Sequence, residues 1–574
     1  MNKRKGLRCR PEVVVLMMVM FVGMLMTSCR EKSEDQKSLT EKMAPLLEGM
    51  GDHEFNVSLK DTLAIEYFNQ AIMMTYGFNH NEAERSFRQV AALQPDHPMA
   101  WWGVALVQGP NLNLAMLPEA VPVAWEALQK AQELKPNGTQ REQDYIDALA
   151  KRYAENPPED RSSLDRAYAD AMGELAAKYP DDLDTQALYA EAMMDLHPWD
   201  FWTKEGEAQP WTPKILTTLE RVIERNPDHP MANHLYIHAT EASKNPEKAL
   251  PSAKRLANAV PGAGHLVHMP AHTYIRVGMY HEGTIANERA VESDKQYMEQ
   301  VEEQGVYPLG YVPHNYHFLW ATATMEGREK RSLEAAVKTA EMVDKDMMRQ
   351  PGFGTLQHYL VIPLYGHVRF GKWDEILSYP KPAEDLIYPT GVWHYARGMG
   401  YVGTDSLAKA KQELEYLKTI ASNDMLKDVT IWEMNTTQEL MQIASRILEG
   451  EIAAQEKNYD QAVAMLSEAL TIEGNLNYNE PPDWFFPVRH NLGAVLLDAG
   501  REIEAEQVYR ADLKEFPKNG WALFGLHQSL LAQGREDEAR KVKTQFEEAW
   551  QYADIELSSS RILREEKKVL GLVE

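Results

Sequence analysis

The sequence predicts an all-α chain, a solenoid of repeated helical units, and two observations carry that prediction. The string Pro95-Asp96-His97-Pro98-Met99-Ala100 recurs unchanged as Pro227-Asp228-His229-Pro230-Met231-Ala232, a displacement close to four units of about 33 residues. Small and apolar residues elsewhere recur about every 34 residues, and such a period marks units that bury their apolar faces only by stacking. Of the 574 residues 44% are hydrophobic and 25% charged, with a mean hydropathy of -0.48, so the bulk can build a large core and is not a multi-spanning membrane protein.

The chain opens with a positive segment, Lys3, Arg4, Lys5, Arg8 and Arg10, followed by an apolar run from Val13 to Met26. That run is short for a bilayer span and has the length of a signal-peptide core. It ends in Met26-Thr27-Ser28-Cys29, which resembles a bacterial lipobox. Residues 1–28 therefore read as a lipoprotein signal peptide and Cys29 as the lipidated residue, holding the chain to the cell envelope, at the outer membrane, by acyl chains. Residues 29–60 read as a flexible tether. Cys9 and Cys29 are the only cysteines, so disulfides, thiolate metal sites and thiol catalysis are excluded for the body.

Residues 61–350 and 431–574 carry the repeats. Near the C-terminus Leu492-Gly493, Ala505, Tyr509 and Pro517 are followed one 34-residue step later by Leu526 and Ala539; Ala83, Phe87, Pro95 and Trp101, and Gly450, Ala462, Leu466 and Ala469, fit the same frame. The pattern resembles the tetratricopeptide repeat (TPR) family. The resemblance implies antiparallel helix pairs stacked into a superhelix, with a concave groove that binds a partner protein, peptide or small ligand. Residues 351–430 read as an irregular helical joint, because Gly391, Gly398, Gly400 and Gly403 with Pro351, Pro380, Pro382 and Pro389 interrupt the helical pattern. The insertion from Asn475 to Pro487, with Trp484, Phe485 and Phe486, is too apolar for a solvated loop and is expected to fold back onto the groove or an adjacent unit as core filling.

Histidine is concentrated: nine of 18 lie between His229 and His317. If Pro227 and Pro261 each close a unit, His234 and His238 stand at places five and nine of one unit and His268 and His272 at the same places of the next. Residues four apart share a helix face, so each pair can chelate one metal or jointly hold one anionic group. Places two, five and nine line the concave surface in the TPR family, which implies that His265, His314, His317 and His358 also face the groove. Glu241, three residues beyond His238, completes a two-His, one-carboxylate set suited to iron or zinc, and Met231 and Met269 nearby suit copper. Pro270 between His268 and His272 is expected to delay or kink that helix. No HExxH motif exists, so a zincin hydrolase is excluded, and no residue is assigned a catalytic role.

Other signals are weaker. Trp101 reads as core and Trp102 as a candidate groove wall. Arg152-Tyr153-Ala154-Glu155 is similar to a short string of SusD-like glycan-binding lipoproteins, but Asn156-Pro157-Pro158 follows and prevents helix continuation. With 86 acidic against 60 basic residues and a net charge of -26, nucleic acid is not an expected partner. The function expected first is a lipid-anchored interaction scaffold, the second a metal-binding protein or metalloenzyme holding iron, zinc or copper on the His ladder, and the third surface glycan capture.

Overall fold

The structure is a computed structural model that describes residues 43–301, 305–484 and 486–563. The signal segment and Cys29 lie outside the described residues, as does Phe485. From Ala44 onward the chain is one compact unit, an all-α solenoid of tetratricopeptide-type helix pairs; its one two-stranded sheet joins Thr430–Ile431 to Asn435–Thr436. Among the described residues no helix is long and apolar enough to cross a membrane.

The repeated hexapeptide is a helix-start signal. His97 and His229 are N-caps whose Nδ1 atoms accept from the backbone N–H of Met99 and Ala232, at 3.4 and 3.3 Å, and Pro98 and Pro230 occupy the first helical position. Proline is suited to that place because its missing N–H is unneeded there. The last two complete pairs are Val488–Asp498 with Glu502–Glu515 and Gly520–Ala532 with Glu536–Ala549. The small residues of the repeat make room for one ring: a Cβ on Gly493 or Gly525 would lie 2.4 or 2.1 Å from the buried Tyr509 side chain.

The expected joint is more regular than its composition suggested. Helices Gly354–Arg369, Ile387–Gly403 and Leu407–Ala421 continue the array, and irregularity lies mainly in the short Trp373–Ser378 helix with the coil after it and in the 3-10 turn Asp424–Lys427. Gly398 permits close packing rather than breaking the helix, since a Cβ there would stand 2.3 Å from Leu448. Residues 44–60 likewise depart from the flexible tether expected of them. The Tyr67 hydroxyl donates to Ala44 O at 3.0 Å, Gly262 N–H to Gly49 O at 2.8 Å and the Ser58 hydroxyl to Glu142 at 2.8 Å, while Phe55 is buried against Phe68 and Trp102. Apolar anchors at Phe55 and Leu59 hold a stretch that is polar overall.

The array also returns on itself. Trp521 Nε1 donates to Thr324 O at 3.0 Å, and the Asp554 carboxylate accepts from Glu329 N–H at 2.6 Å and Lys330 N–H at 3.2 Å. The insertion after Glu473 does fold back: Trp484 and Phe486 are buried in the core, and Asp483 accepts from Asn435 Nδ2 at 2.7 Å. His234, His238, His265, His268 and His272 are buried within this array.

Candidate metal centre

The Pro230–Glu241 helix is buried along its whole length, so His234 and His238, one turn apart, have no route to solvent along it. In the next unit the helix breaks as the position of Pro270 predicts, into Gly264–His268 and Pro270–Val277. His265 and His268 sit on the first piece and His272 on the second, yet His268 Nε2 and His272 Nε2 are 2.9 Å apart. His314 comes from the Val312–Met325 helix, its ring 4.9 Å from that of His268.

A neutral imidazole carries one N–H and one lone pair, so an oxygen acceptor on one nitrogen fixes the other as a ligand. His234 Nδ1 donates to Tyr76 O at 2.7 Å. His268 Nδ1 donates to Asn287 Oδ1 at 2.6 Å; the Asn287 amide nitrogen donates to Gly283 O at 2.8 Å, which sets which of its atoms faces the ring. His238 Nδ1 lies 3.5 Å from Glu241 Oε1 and His272 Nδ1 2.8 Å from Glu241 Oε2. All four repeat-placed histidines thus turn Nδ1 to an oxygen and Nε2 inward.

The inward atoms find no partner. His234 Nε2, His238 Nε2, both nitrogens of His265 and His314 Nδ1 are buried without a hydrogen bond. An unsatisfied buried polar atom costs about 1–3 kcal/mol, so a cluster of them is expensive unless something binds there. The candidate ligand atoms of His234, His238 and His265 lie within 4.8 Å of one another, as do those of His268, His272 and His314, and those of His238, Glu241 and His272. Two nitrogens 2.9 Å apart, each about 2.0–2.1 Å from one ion, subtend roughly 90°, an ordinary angle between neighbouring ligands.

Electrostatics keeps four of the donors available, while His272 must release a proton to bind an ion. Burial, reinforced by neighbouring imidazoles, holds His234, His265, His268 and His314 well below the usual histidine range, so they are neutral. Burial also opposes charge on His272, but Glu241 and Glu480 outweigh it and raise its pKa. Burial raises Glu241, yet the facing His272 and His238 bring it below the usual carboxylate range, while burial and the charge of Glu241 raise Glu480.

Glu480 is the contribution the sequence did not disclose. Its Oε2 is 3.1 Å from His272 Nδ1, on the insertion that had read as core filling alone. Three aromatic rings also wall the cluster from backbone in the left-handed region: Phe78 (φ 58) packs against His234, Trp199 (φ 59) against His238 and Trp432 (φ 49) against His314. Such conformations cost of order 1–3 kcal/mol for a residue other than glycine and persist where surrounding structure over-determines them.

The remaining candidates separate. His317 and His358 are buried farther along the groove side, with rings 5.4 Å apart; His358 Nδ1 pairs with the Tyr388 hydroxyl at 2.8 Å, and neither belongs to a three-His set. Trp102 is not a groove wall: it is enclosed by Phe55 and Tyr145, whereas Trp101 is half-buried. Alternation along the helix put the reverse assignment one residue out. Arg152 is buried in an ion pair with Asp195 at 2.7 Å, outside any helix, so the glycan-lipoprotein string has a structural role here. A further group unites His53, Asp184 and His229, but Asp184 Oδ1 already accepts from His53 Nε2 at 2.8 Å and from the Tyr76 hydroxyl at 2.6 Å.

No family model matches the chain, and no curated protein does. Among solved structures it is similar to the human IFIT1 dimer with m7Gppp-AAAA, at 12% identity and a TM-score of 0.29 over 87% of this chain and 92% of that one. It is also similar to the APC/C hetero-tetramer Cut9-Hcn1, at 12% identity and a TM-score of 0.30 over 86% and 94%, and to the P58(IPK) TPR domain, at 12% identity and a TM-score of 0.18 over 64% and 93%. Likenesses at these scores carry nothing about what this chain binds.

Proposed function

We propose that the protein is an exported, lipid-anchored metal-binding protein that holds a late transition metal, copper or zinc before iron, on the buried imidazoles of its concave side. The observation that carries this reading is the shared orientation of four histidines from two repeats, each with Nδ1 on an oxygen and Nε2 turned into the same buried cluster. Imidazole-rich donor sets without thiolate suit copper and zinc. Glu241, placed by sequence as a ligand, acts better as the outer carboxylate that orients His238 and His272. Anchoring through Cys29 rests on the signal-like N-terminus.

The test is elemental analysis of the full chain purified without chelator or histidine tag, beside a His234→Ala, His238→Ala double variant. Metal near one or more equivalents in the wild type, lowered in the double variant, supports the reading; no metal in the wild type even after reconstitution contradicts it. Partner capture, the role expected first, is retained as a second reading. It moves away from the buried histidines to exposed apolar side chains such as Ile503 and Leu531, 63% and 44% exposed on helices of the last repeats.

A further inference from the structure

We infer that the centre is dinuclear, with one copper ion on His234, His238 and His265 and a second on His268, His272 and His314. This rests on the metal-binding reading and deepens it.

The repeat itself assigns the ligands. Each set consists of the pair at places five and nine of one unit and the histidine at place two of the next: His234 and His238 with His265, then His268 and His272 with His314. A ligand rule that translates by one repeat generates two sites rather than one enlarged site. Each set is compact, with its three candidate nitrogens within 4.8 Å of one another. Six imidazoles around a single ion would have to converge from both ends of the row, whereas the outermost rings, His234 and His314, are linked only through the rings between them.

The sets adjoin each other. The His238 and His272 rings are 5.4 Å apart and the His265 and His268 rings 5.9 Å apart. Glu241 has no counterpart one repeat later, where Ile275 stands, and its two oxygens face one histidine of each set, Oε1 toward His238 and Oε2 toward His272. A single carboxylate thus orients one ligand of each ion and ties the two sites together. Three imidazoles and no thiolate per ion, with His272 releasing a proton as the ion binds, leave each copper an open position. Those positions face the space between the sets, which takes a small oxygen ligand such as hydroxide bridging both ions.

The experiment loads the full chain with Cu(II), removes excess by gel filtration, counts copper per chain and compares it with the spin count by electron paramagnetic resonance. Two coppers with a spin count far below the copper count are expected, because bridged Cu(II) ions couple antiferromagnetically. His314→Gln and, separately, His265→Gln should each reduce copper to one equivalent and restore about one spin per copper, and circular dichroism identifies a variant that has not folded. Two coppers with a full spin count, or loss of both ions in both folded variants, would overturn the paired site. One copper in the wild type would overturn it while leaving the metal-binding reading intact, and none would remove that reading as well.

Discussion

His268 and His490 are both completely buried histidines on helices of repeat units, and they are treated in opposite ways. His490 is satisfied at both ends: Nε2 donates to Asp512 at 3.0 Å, and Nδ1 accepts from Arg369 at 2.9 Å. Asn519 also donates to Asp512 at 3.0 Å, the Ser560 hydroxyl donates to the His490 carbonyl at 2.7 Å, and the Arg369 guanidinium lies over Trp521 at 3.6 Å. Around His268, by contrast, one nitrogen is tied to Asn287 and the other meets His272, among rings whose inward nitrogens have no partner. The C-terminal knot satisfies both nitrogens of its histidine, although Arg369 Nε and Asp512 Oδ1 there make no hydrogen bond, whereas the imidazole cluster is a set of donors oriented for something they do not themselves supply. Burial of a histidine therefore says little by itself; how its second nitrogen is satisfied separates packing from binding.

The comparison is broken most severely at the knot. Asp512→Ala leaves a buried guanidinium and a buried imidazole N–H uncompensated, and should cost about 3–5 kcal/mol in denaturant unfolding while leaving metal stoichiometry unchanged. The imidazole cluster should respond in the opposite sense. Saturation with copper or zinc at a hundred times the dissociation constant should raise wild-type stability by about 2.7 kcal/mol for each ion bound, and the His234→Ala, His238→Ala variant should lose the share of the ion those residues hold. Asn287→Ala removes only the acceptor that orients His268; competition titrations should show metal affinity lowered by about 10–100-fold with the stoichiometry preserved.

The smallest effect concerns acid. Burial holds His358 down to about 3, whereas in the unfolded chain it protonates near 6.5. Its contribution is therefore complete above pH 6.5 and lost as pH falls from 6.5 toward 3, by up to about 1.4 kcal/mol per pH unit. His358→Gln should flatten the stability profile of the metal-free protein by that slope, measured by denaturant melts across pH 4–7.

Much of the imidazole cluster was legible before the fold. The spacing of His234, His238, His268 and His272 placed them on one face of successive helices, and the break at Pro270 was foreseen because a ring nitrogen cannot donate. The repeat frame at Tyr509 and its facing glycines followed from residue size alone. Glu480, Asn287 and the carbonyl of Tyr76 were not legible, because they arrive through tertiary contact, Tyr76 and Glu480 from segments far away in the chain. Burial of the histidines depended on such long-range contacts too, so a row expected to line an open groove is enclosed by its neighbours. Residues 44–60 misled for a related reason: a polar stretch was held by two apolar side chains whose sockets lie in the repeats. Glycines between 391 and 403 looked like helix breakers because sequence shows their flexibility and not the neighbour, such as Leu448, that needs their missing side chain.

X-ray absorption at the metal edge of the copper- or zinc-loaded full chain tests the central claim most directly, because it reads the atoms around the ion. The account predicts a first shell dominated by imidazole nitrogens at about 2.0–2.1 Å, with the multiple scattering of intact rings, that disappears with the metal when His234, His238, His268 and His272 are all replaced by Ala. A shell of carboxylate and water oxygens alone, or a spectrum unchanged by that fourfold substitution, would place the metal elsewhere and contradict the account.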